Sequence, residues 1–166
     1  MSNKGRLYIV ATPIGNLKDF TFRAIDTLKE VDFVFAEDTR NSIQLMKHYS
    51  IETKLDSYHE HNNIQKIPKI INLLNEGNDI ALISDAGTPT ISDPGYKLIR
   101  ACIDEKIDVI PIPGASAVTT ALSASGLPSD SFFFLGFLPQ KKGRKKKISF
   151  LKSLDNTIII FESPHR

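Results

Sequence analysis

Apolar and polar positions along this chain follow two periods in turn. Short runs rich in β-branched and other apolar residues recur as RLYIVAT (6–12), DFVFA (32–36), DIALI (79–83) and DVIPIPG (108–114), with the more polar KLDSYH (54–59) between the second and third, and each predicts a strand. Between them the apolar residues fall at helical spacing. Phe22, Ile25 and Leu28 make one stripe, Ile67, Ile70, Ile71 and Leu74 a second, and Leu98, Ile99, Cys102 and Ile103 a third. Asp19 is the expected cap of the first helix, and Thr39 or Asn41 that of a helix through SIQLMKHYS. Pro68 predicts that its helix starts there or kinks. ASAVTTALSASG reads as a small-residue helix ended by Gly126.

Five strand–helix units predict an α/β fold: a mostly parallel five-stranded sheet with helices on both faces. The strands end in PIGN, EDTR, HEHN, SDAGTP and PGAS, and in a parallel sheet such ends share one edge. The stretch SDAGTPTISDPG (84–95) stands out among them. It holds two Gly, two Pro, two Asp and four hydroxyl residues, with Ile91 the single large apolar one. A segment of that composition cannot bury itself, and connections in compact α/β units run to about 2–6 residues. It reads as a ligand loop.

The first domain is expected over 1–126, with a linker at 127–131 and the start of a second domain at 132–166. In the last piece FFFLGFL (132–138) and TIIIFES (157–163) predict strands, and 141–154 a basic helix. Two strands and a helix cannot bury a core of their own. The piece therefore leans on the first domain or a partner, or the chain is a fragment of a longer protein, which is the favoured expectation.

Composition adds bounds. The formal net charge is +2, yet KKGRKKK (141–147) alone carries six basic residues, so the remainder is formally −4. Cys102 is the sole cysteine and sits on an apolar helix stripe, as a small buried hydrophobe would. No apolar run reaches the roughly 18 residues of a membrane span, and the amino terminus lacks a secretory core, so a cytoplasmic location is expected.

Several chemistries lack their motifs. No G-x-G occurs, no P-loop and no G-x-S-x-G. His59-Glu60-His61 has no second ligand pair at a usable spacing, so no metal is expected and a solvated loop or substrate contact is the better reading. What remains is a cleft of backbone donors, carboxylates and small residues. Gly87, Gly114 and Ala115 admit a flat ring, Glu37, Asp38 and Asp85 offset a cation, and the helix start after Gly114 offers N–H groups to a carboxylate. S-adenosylmethionine would use all three features. A nucleotide would fit as well.

The blocks LYIVATPIGNLKD (7–19), EDTR (37–40), HEHN (59–62), SDAGTPTISDPG (84–95), PIPGASAV (111–118), ALSASGLP (121–128), FLGFLPQKKGR (134–144) and FESPHR (161–166) run the whole length. In that order they resemble the tetrapyrrole methylase superfamily, and within it the ribosomal RNA small subunit methyltransferase I family. The resemblance implies a two-domain α/β enzyme, a homodimer in the bacterial cytoplasm. It would use S-adenosylmethionine to methylate the ribose 2′-hydroxyl of a cytidine in 16S rRNA of the small ribosomal subunit. It further implies that Pro13, Gly15, Asp85, Ala86, Gly87, Thr88, Ala115 and Ser116 hold the cofactor. The family has a complete second domain, whereas this sequence stops at FESPHR.

A ribose hydroxyl needs its proton taken. Glu37, Asp38, His59, Glu60 and Asp85 are the candidates at strand ends, with Asp38 or Glu60 the expected catalytic residue. Asp38 with Arg40 reads equally as a pair locking the EDTR turn. Arg40 and the basic residues Lys141, Lys142, Arg144, Lys145, Lys146 and Lys147 are the expected RNA contacts. The alternatives are a same-fold methyltransferase acting on a tetrapyrrole or other small metabolite, and an inactive cofactor- or RNA-binding fragment.

Overall fold

A computed structural model describes residues 4–163. It divides into two compact units, between Ser116 and Ala117.

The first unit holds strands β1 (Leu7–Val10), β2 (Phe33–Ala36), β3 (Lys54–Ser57), β4 (Ile80–Ile83) and β5 (Val109–Ile112). Helices α1 (Phe22–Glu30), α2 (Thr39–His48), α3 (Asn63–Asn75) and α4 (Tyr96–Asp104) connect them. All four strand pairings are parallel, in the order β3-β2-β4-β1-β5. The chain moves one way across the sheet from β1 through β3 and the other way from β3 through β5. Right-handed crossovers then set α1 and α2 on one face and α3 and α4 on the opposite one.

Strand side chains alternate accordingly. Val10, Val34, Ala36, Ala81 and Ile83 pack with Ala24 and Leu28 of α1 and Met46 of α2. Leu7, Ile9, Phe35, Ile80 and Leu82 pack with Ile70 and Leu74 of α3 and Leu98 and Cys102 of α4. Every residue of β4 is buried, which explains its unbroken apolar run. Burial also pushes the Cys102 thiol up to about 12, the behaviour of an inert packing residue.

Local details differ from the sequence expectations. Leu17–Asp19 forms a 3₁₀ turn, so Asp19 does not cap α1; Thr21 does, its hydroxyl accepting from the Ala24 N–H at 3.1 Å. Phe22 is 88% exposed, and the buried stripe of α1 is Ala24, Thr27 and Leu28. The cap of α2 is Asp38 rather than Thr39 or Asn41. Helix α3 starts at Asn63 and runs through Pro68.

The second unit holds α5 (Ala117–Ala124), β6 (Phe132–Phe137), α6 (Arg144–Leu151) and β7 (Thr157–Phe161). The two strands pair in parallel with an irregularity between Phe134 and Gly136. Phe134 meets Phe161 edge-on at 4.9 Å, and Phe133 meets Phe150 at 5.8 Å. Where the sequence reading ends its first domain at 126, the division between units falls ahead of α5. That eight-residue helix buries only Val118 and Leu122, too short a stripe for periodicity to say which unit it joins. The basic helix expected over 141–154 is shorter, because Gly143 takes a left-handed conformation immediately before it. His165 and Arg166 of the FESPHR block lie outside the described residues.

Candidate functional site

The loops after β1 and β4 are stitched together. The Thr12 N–H donates to the Gly87 carbonyl at 2.9 Å and the Gly87 N–H returns a bond to the Thr12 carbonyl at 3.0 Å. The buried Thr12 hydroxyl donates to the Ser84 carbonyl at 3.1 Å. Gly87 sits at φ +82°, and a Cβ there would lie 3.4 Å from Ile14. The β5 loop joins the same assembly. A Cβ on Gly114 would come within 2.9 Å of the Ala11 methyl, and the Thr88 hydroxyl reaches the Ala115 carbonyl at 3.5 Å. Three strand ends thus bring Pro13, Gly15, Asp85, Ala86, Gly87, Thr88 and Ala115 together, with Ser116 next in the chain.

The rest of the 84–95 loop is held in unusual backbone. Thr90 and Ser92 have φ of +75° and +68°, and Gly95 lies at +141°. Left-handed backbone is costly for a β-branched residue such as Thr90, and it persists only where surroundings enforce it. Gly95 is fixed sterically as well, since a Cβ would stand 2.7 Å from Thr90 Cγ2 and 3.0 Å from Leu82 Cδ2. The loop is therefore shaped by its packing.

Asp85 joins β4 to the β2 end. Its carboxylate accepts from the Asp38 N–H at 3.1 Å and from Asn41 Nδ2 at 3.0 Å. Asp38 in turn accepts from the Arg40 N–H at 2.9 Å, from Nε at 3.0 Å and from Nη2 at 2.6 Å. Those Arg40 bonds hold the Asp38 carboxyl down at about 2. The pair does lock the EDTR turn, and Arg40 remains largely exposed while making it.

Three adjoining clefts follow the carboxyl edge. One of about 400 Å³ is lined by Pro13, Gly15, Asn41, Gln44, His48 and Asp85. A second, about 430 Å³, includes Glu37, Asp38, Arg40, His59 and Asp85. The third, about 460 Å³, includes Glu37, Tyr58, His59, Glu60, Asn63 and Asp93. Half-buried Glu37 stands on two of them. Burial pushes its carboxyl up, as do Asp93, Asp85, Asp38 and Glu60 nearby. Asp93 is raised chiefly by burial too, against a hydrogen bond from Ser84. Glu60 is exposed on the turn after β3.

That turn is pinned by Asn62. Its side-chain oxygen accepts from the His59 N–H at 2.9 Å, and its Nδ2 lies 3.1 Å from both Ser57 Oγ and His59 Nε2. Asn63 and Tyr96 had no place in the sequence reading of the site, and both line the third cleft. Among the described residues, no group of three or more His, Cys, Asp or Glu side chains is placed to hold a metal ion, and no helix is long and apolar enough to cross a membrane.

The basic residues belong to the second unit. Lys141, Lys142, Lys145, Lys146 and Lys147 are exposed. Arg144 is half-buried, donating to the Pro139 carbonyl at 3.3 Å and pairing with Glu162 at 3.4 Å.

Comparison with known proteins adds three findings. The family described as Tetrapyrrole (Corrin/Porphyrin) Methylases matches residues 6–166. The chain is 59% identical to the ribosomal RNA small subunit methyltransferase I of Halalkalibacterium halodurans over 99% of its own length, 55% identical to that of Bacillus subtilis and 50% to that of Escherichia coli O157:H7. It spans 57–58% of the length of these relatives. In structure it is similar to diphthine synthase, with a TM-score of 0.74 at 16% identity, covering 97% of this chain and 65% of that one. It is also similar to a uroporphyrin-III-C-methyltransferase of Thermus thermophilus, with a TM-score of 0.59 at 22% identity, covering 80% and 60%. At such identities the structural likeness speaks to the fold.

Proposed function

The chain belongs to the tetrapyrrole (corrin/porphyrin) methylase family, and on that premise we propose that it serves methylation of the ribose 2′-hydroxyl of a cytidine in 16S rRNA, with S-adenosylmethionine as donor. What carries this reading is the match, along almost the whole chain, to relatives named as ribosomal RNA small subunit methyltransferases. The exposed basic segment favours an RNA substrate over a tetrapyrrole or other small metabolite. The proposed setting is the cytoplasm, with a homodimer as the working form. The proposed organisation is a cofactor domain over 1–126, a linker at 127–131 and the beginning of a second domain at 132–166.

The residues present fit the donor. Gly15 lies at φ +137° with open space where a Cβ would stand, and Gly87 and Gly114 keep the neighbouring backbone accessible. Pro13, Gly15, Asp85, Ala86, Gly87, Thr88, Ala115 and Ser116 would hold it, Asp85 supplying negative charge near a cation. When bound, the donor supplies an electrophilic methyl group on a sulfonium. The chain's own task is orientation of the acceptor hydroxyl and removal of one proton. Asp38, held in place by Arg40, orients; Glu60, exposed beside the acidic cleft, accepts the proton. Arg40 and Lys141, Lys142, Arg144, Lys145, Lys146 and Lys147 contact RNA phosphates.

The test is transfer of a labelled methyl group from S-adenosylmethionine to unmodified small ribosomal subunits, run beside calorimetric titration with S-adenosylhomocysteine. Label on a cytidine 2′-oxygen is the expected result. Binding of S-adenosylhomocysteine together with methylation of a small metabolite instead of rRNA would overturn the RNA reading.

A further inference from the structure

Helix α2 presents two different stripes. Ser42 and Met46 are buried, while Asn41, Gln44 and His48, at i, i+3 and i+7, line a trough of about 400 Å³ against Gly15 and Leu17 of the loop after β1. Both ends of that trough are fastened. At one, Asn41 Nδ2 donates to Asp85 at 3.0 Å. At the other, the Tyr49 hydroxyl donates to the Leu17 carbonyl and the Tyr49 ring meets Phe20 edge-on at 5.2 Å, so the helix end is tied to the loop it faces.

The walls carry hydrogen-bonding groups that the fold does not use. Gln44 and His48 are exposed, and among the described residues neither side chain makes a hydrogen bond or an ion pair; the His48 ring only abuts Tyr49, edge-on at 4.7 Å. Across from them Gly15 leaves open space where a Cβ would stand, and Leu17 offers an apolar face that is 43% exposed.

Sheet order decides which substrate suits this place. The residues that would hold the donor follow β1, β4 and β5, whereas Asp38 and Glu60 follow β2 and β3, on the other side of β4. An acceptor hydroxyl set between donor and carboxylates therefore comes in from the β2 side, where α2 begins beside Asp38 and Arg40. From Asn41 to His48 the helix rises about 10 Å, so a strand leaving the reacting ribose has the trough beside it. Its charge suits RNA as well. Asp85 is its one acidic lining group, whereas the third cleft is lined by Glu37, Glu60 and Asp93, which repel a phosphodiester. Side-chain amides are among the groups that bond nucleic-acid sugars and phosphates, and such contacts place a strand without reading its sequence.

We infer that the trough along α2 holds the nucleotide next to the methylated one, with Gln44 and His48 as its hydrogen-bonding partners. The inference rests on the RNA reading above and deepens it, since these residues position the strand. It leaves the donor to the loops after β1, β4 and β5.

Amide chemical shifts of the chain, titrated separately with an RNA trinucleotide of cytidines and with S-adenosylhomocysteine, test it. The trinucleotide is expected to move Gln44 and His48, and S-adenosylhomocysteine to leave both in place. Gln44→Ala combined with His48→Ala, two exposed changes, is expected to weaken the trinucleotide about tenfold through the loss of two hydrogen bonds, with S-adenosylhomocysteine affinity unchanged. On small ribosomal subunits the same double variant is expected to raise KM about tenfold with kcat little changed, the pattern of lost uniform binding. Trinucleotide shifts that miss α2, no shifts at all, or undiminished RNA affinity in the double variant would each overturn the inference. Movement of Gln44 and His48 by S-adenosylhomocysteine overturns it by giving the trough to the donor. Loss of self-association in the double variant, measured by sedimentation, overturns it by giving the face to a second copy. The two readings fail separately. A trinucleotide bound along α2 with no methyl transfer to small subunits sinks the function, while transfer with Gln44 and His48 dispensable sinks the trough alone.

Discussion

Glu60 and Asp38 stand at the ends of neighbouring strands yet differ in what already holds them. Asp38 is tied by three bonds from Arg40, with its carboxyl down at about 2, and a carboxylate so stabilised is a weak base. Glu60 is exposed on a turn whose shape is set by Asn62 rather than by itself. The expected outcome is a split. Glu60→Gln lowers kcat by about 10²–10⁴ with KM little changed, the range for loss of a general base. Asp38→Asn weakens the EDTR turn and raises KM more than it lowers kcat. Steady-state kinetics on small subunits checks both, and an unchanged kcat in Glu60→Gln would remove that residue from proton transfer. At this scale the sequence was only partly legible. Oxygen-bearing residues cluster at both helix starts, Asp19 with Thr21 and Asp38 with Thr39 and Asn41, and composition cannot choose among candidates one to three positions apart. Nor can it show that His59 Nδ1 and Asn63 Oδ1 lack partners, because hydrogen-bond satisfaction depends on distant segments.

At the scale of elements, strand β3 forms one edge of the sheet and carries its own guard. Burial pushes the Asp56 carboxyl up, but Lys66 Nζ at 2.6 Å, Lys69 Nζ at 3.0 Å and the Ser57 N–H outweigh it and hold the group at about 2. The two lysines come from α3, so the cluster ties that helix to the strand before it. A carboxyl lowered on folding from its ordinary 3.8 stabilises the fold fully above that value, and the contribution is lost as pH falls towards 2. Asp56→Asn should therefore cost about 1–2 kcal/mol near neutrality, a figure reduced for the exposure of Lys69, and nothing by way of charge below pH about 2. Denaturant unfolding at pH 7, 4 and 2.5 checks it; a deficit independent of pH would mean packing rather than charge. Elements were the most legible scale. The central runs became parallel strands because helices cover both of their faces, as on fully buried β4, whereas the edge strand β3 carries Lys54, Asp56 and Ser57 and is the least apolar of the five. Helix α1 departs from its stripe of large residues, because Phe22 points to solvent while the small Ala24 and Thr27 are buried.

For the molecule as a whole, charge is partitioned between the two units. The acidic carboxyl edge belongs to the first, and the run from Lys141 to Lys147 to the second. Helix α6 buries only Leu151, and the contact of exposed Lys147 Nζ over the Phe150 ring at 5.7 Å is a small part of the packing, so the fold of the unit owes little to the lysines of this helix. Arg144 is the exception, since its pairing with Glu162 and the Pro139 carbonyl gives it a local task. Sequence made the charge run plain but could not separate Arg144 from its neighbours, because Glu162 lies 18 positions away. Reversal of Lys145, Lys146 and Lys147 to Glu should therefore leave both folding and S-adenosylhomocysteine affinity unchanged while weakening RNA. Each phosphate contact contributes about 0.7–0.9 to the slope of log affinity against log salt, so loss of three such contacts flattens it by about 2–3. Filter binding across a salt series, with calorimetry alongside, measures both quantities. An unaltered slope would show that the basic segment faces solvent in the RNA complex. A fall in cofactor affinity would show instead that the second unit's charge bears on the donor site.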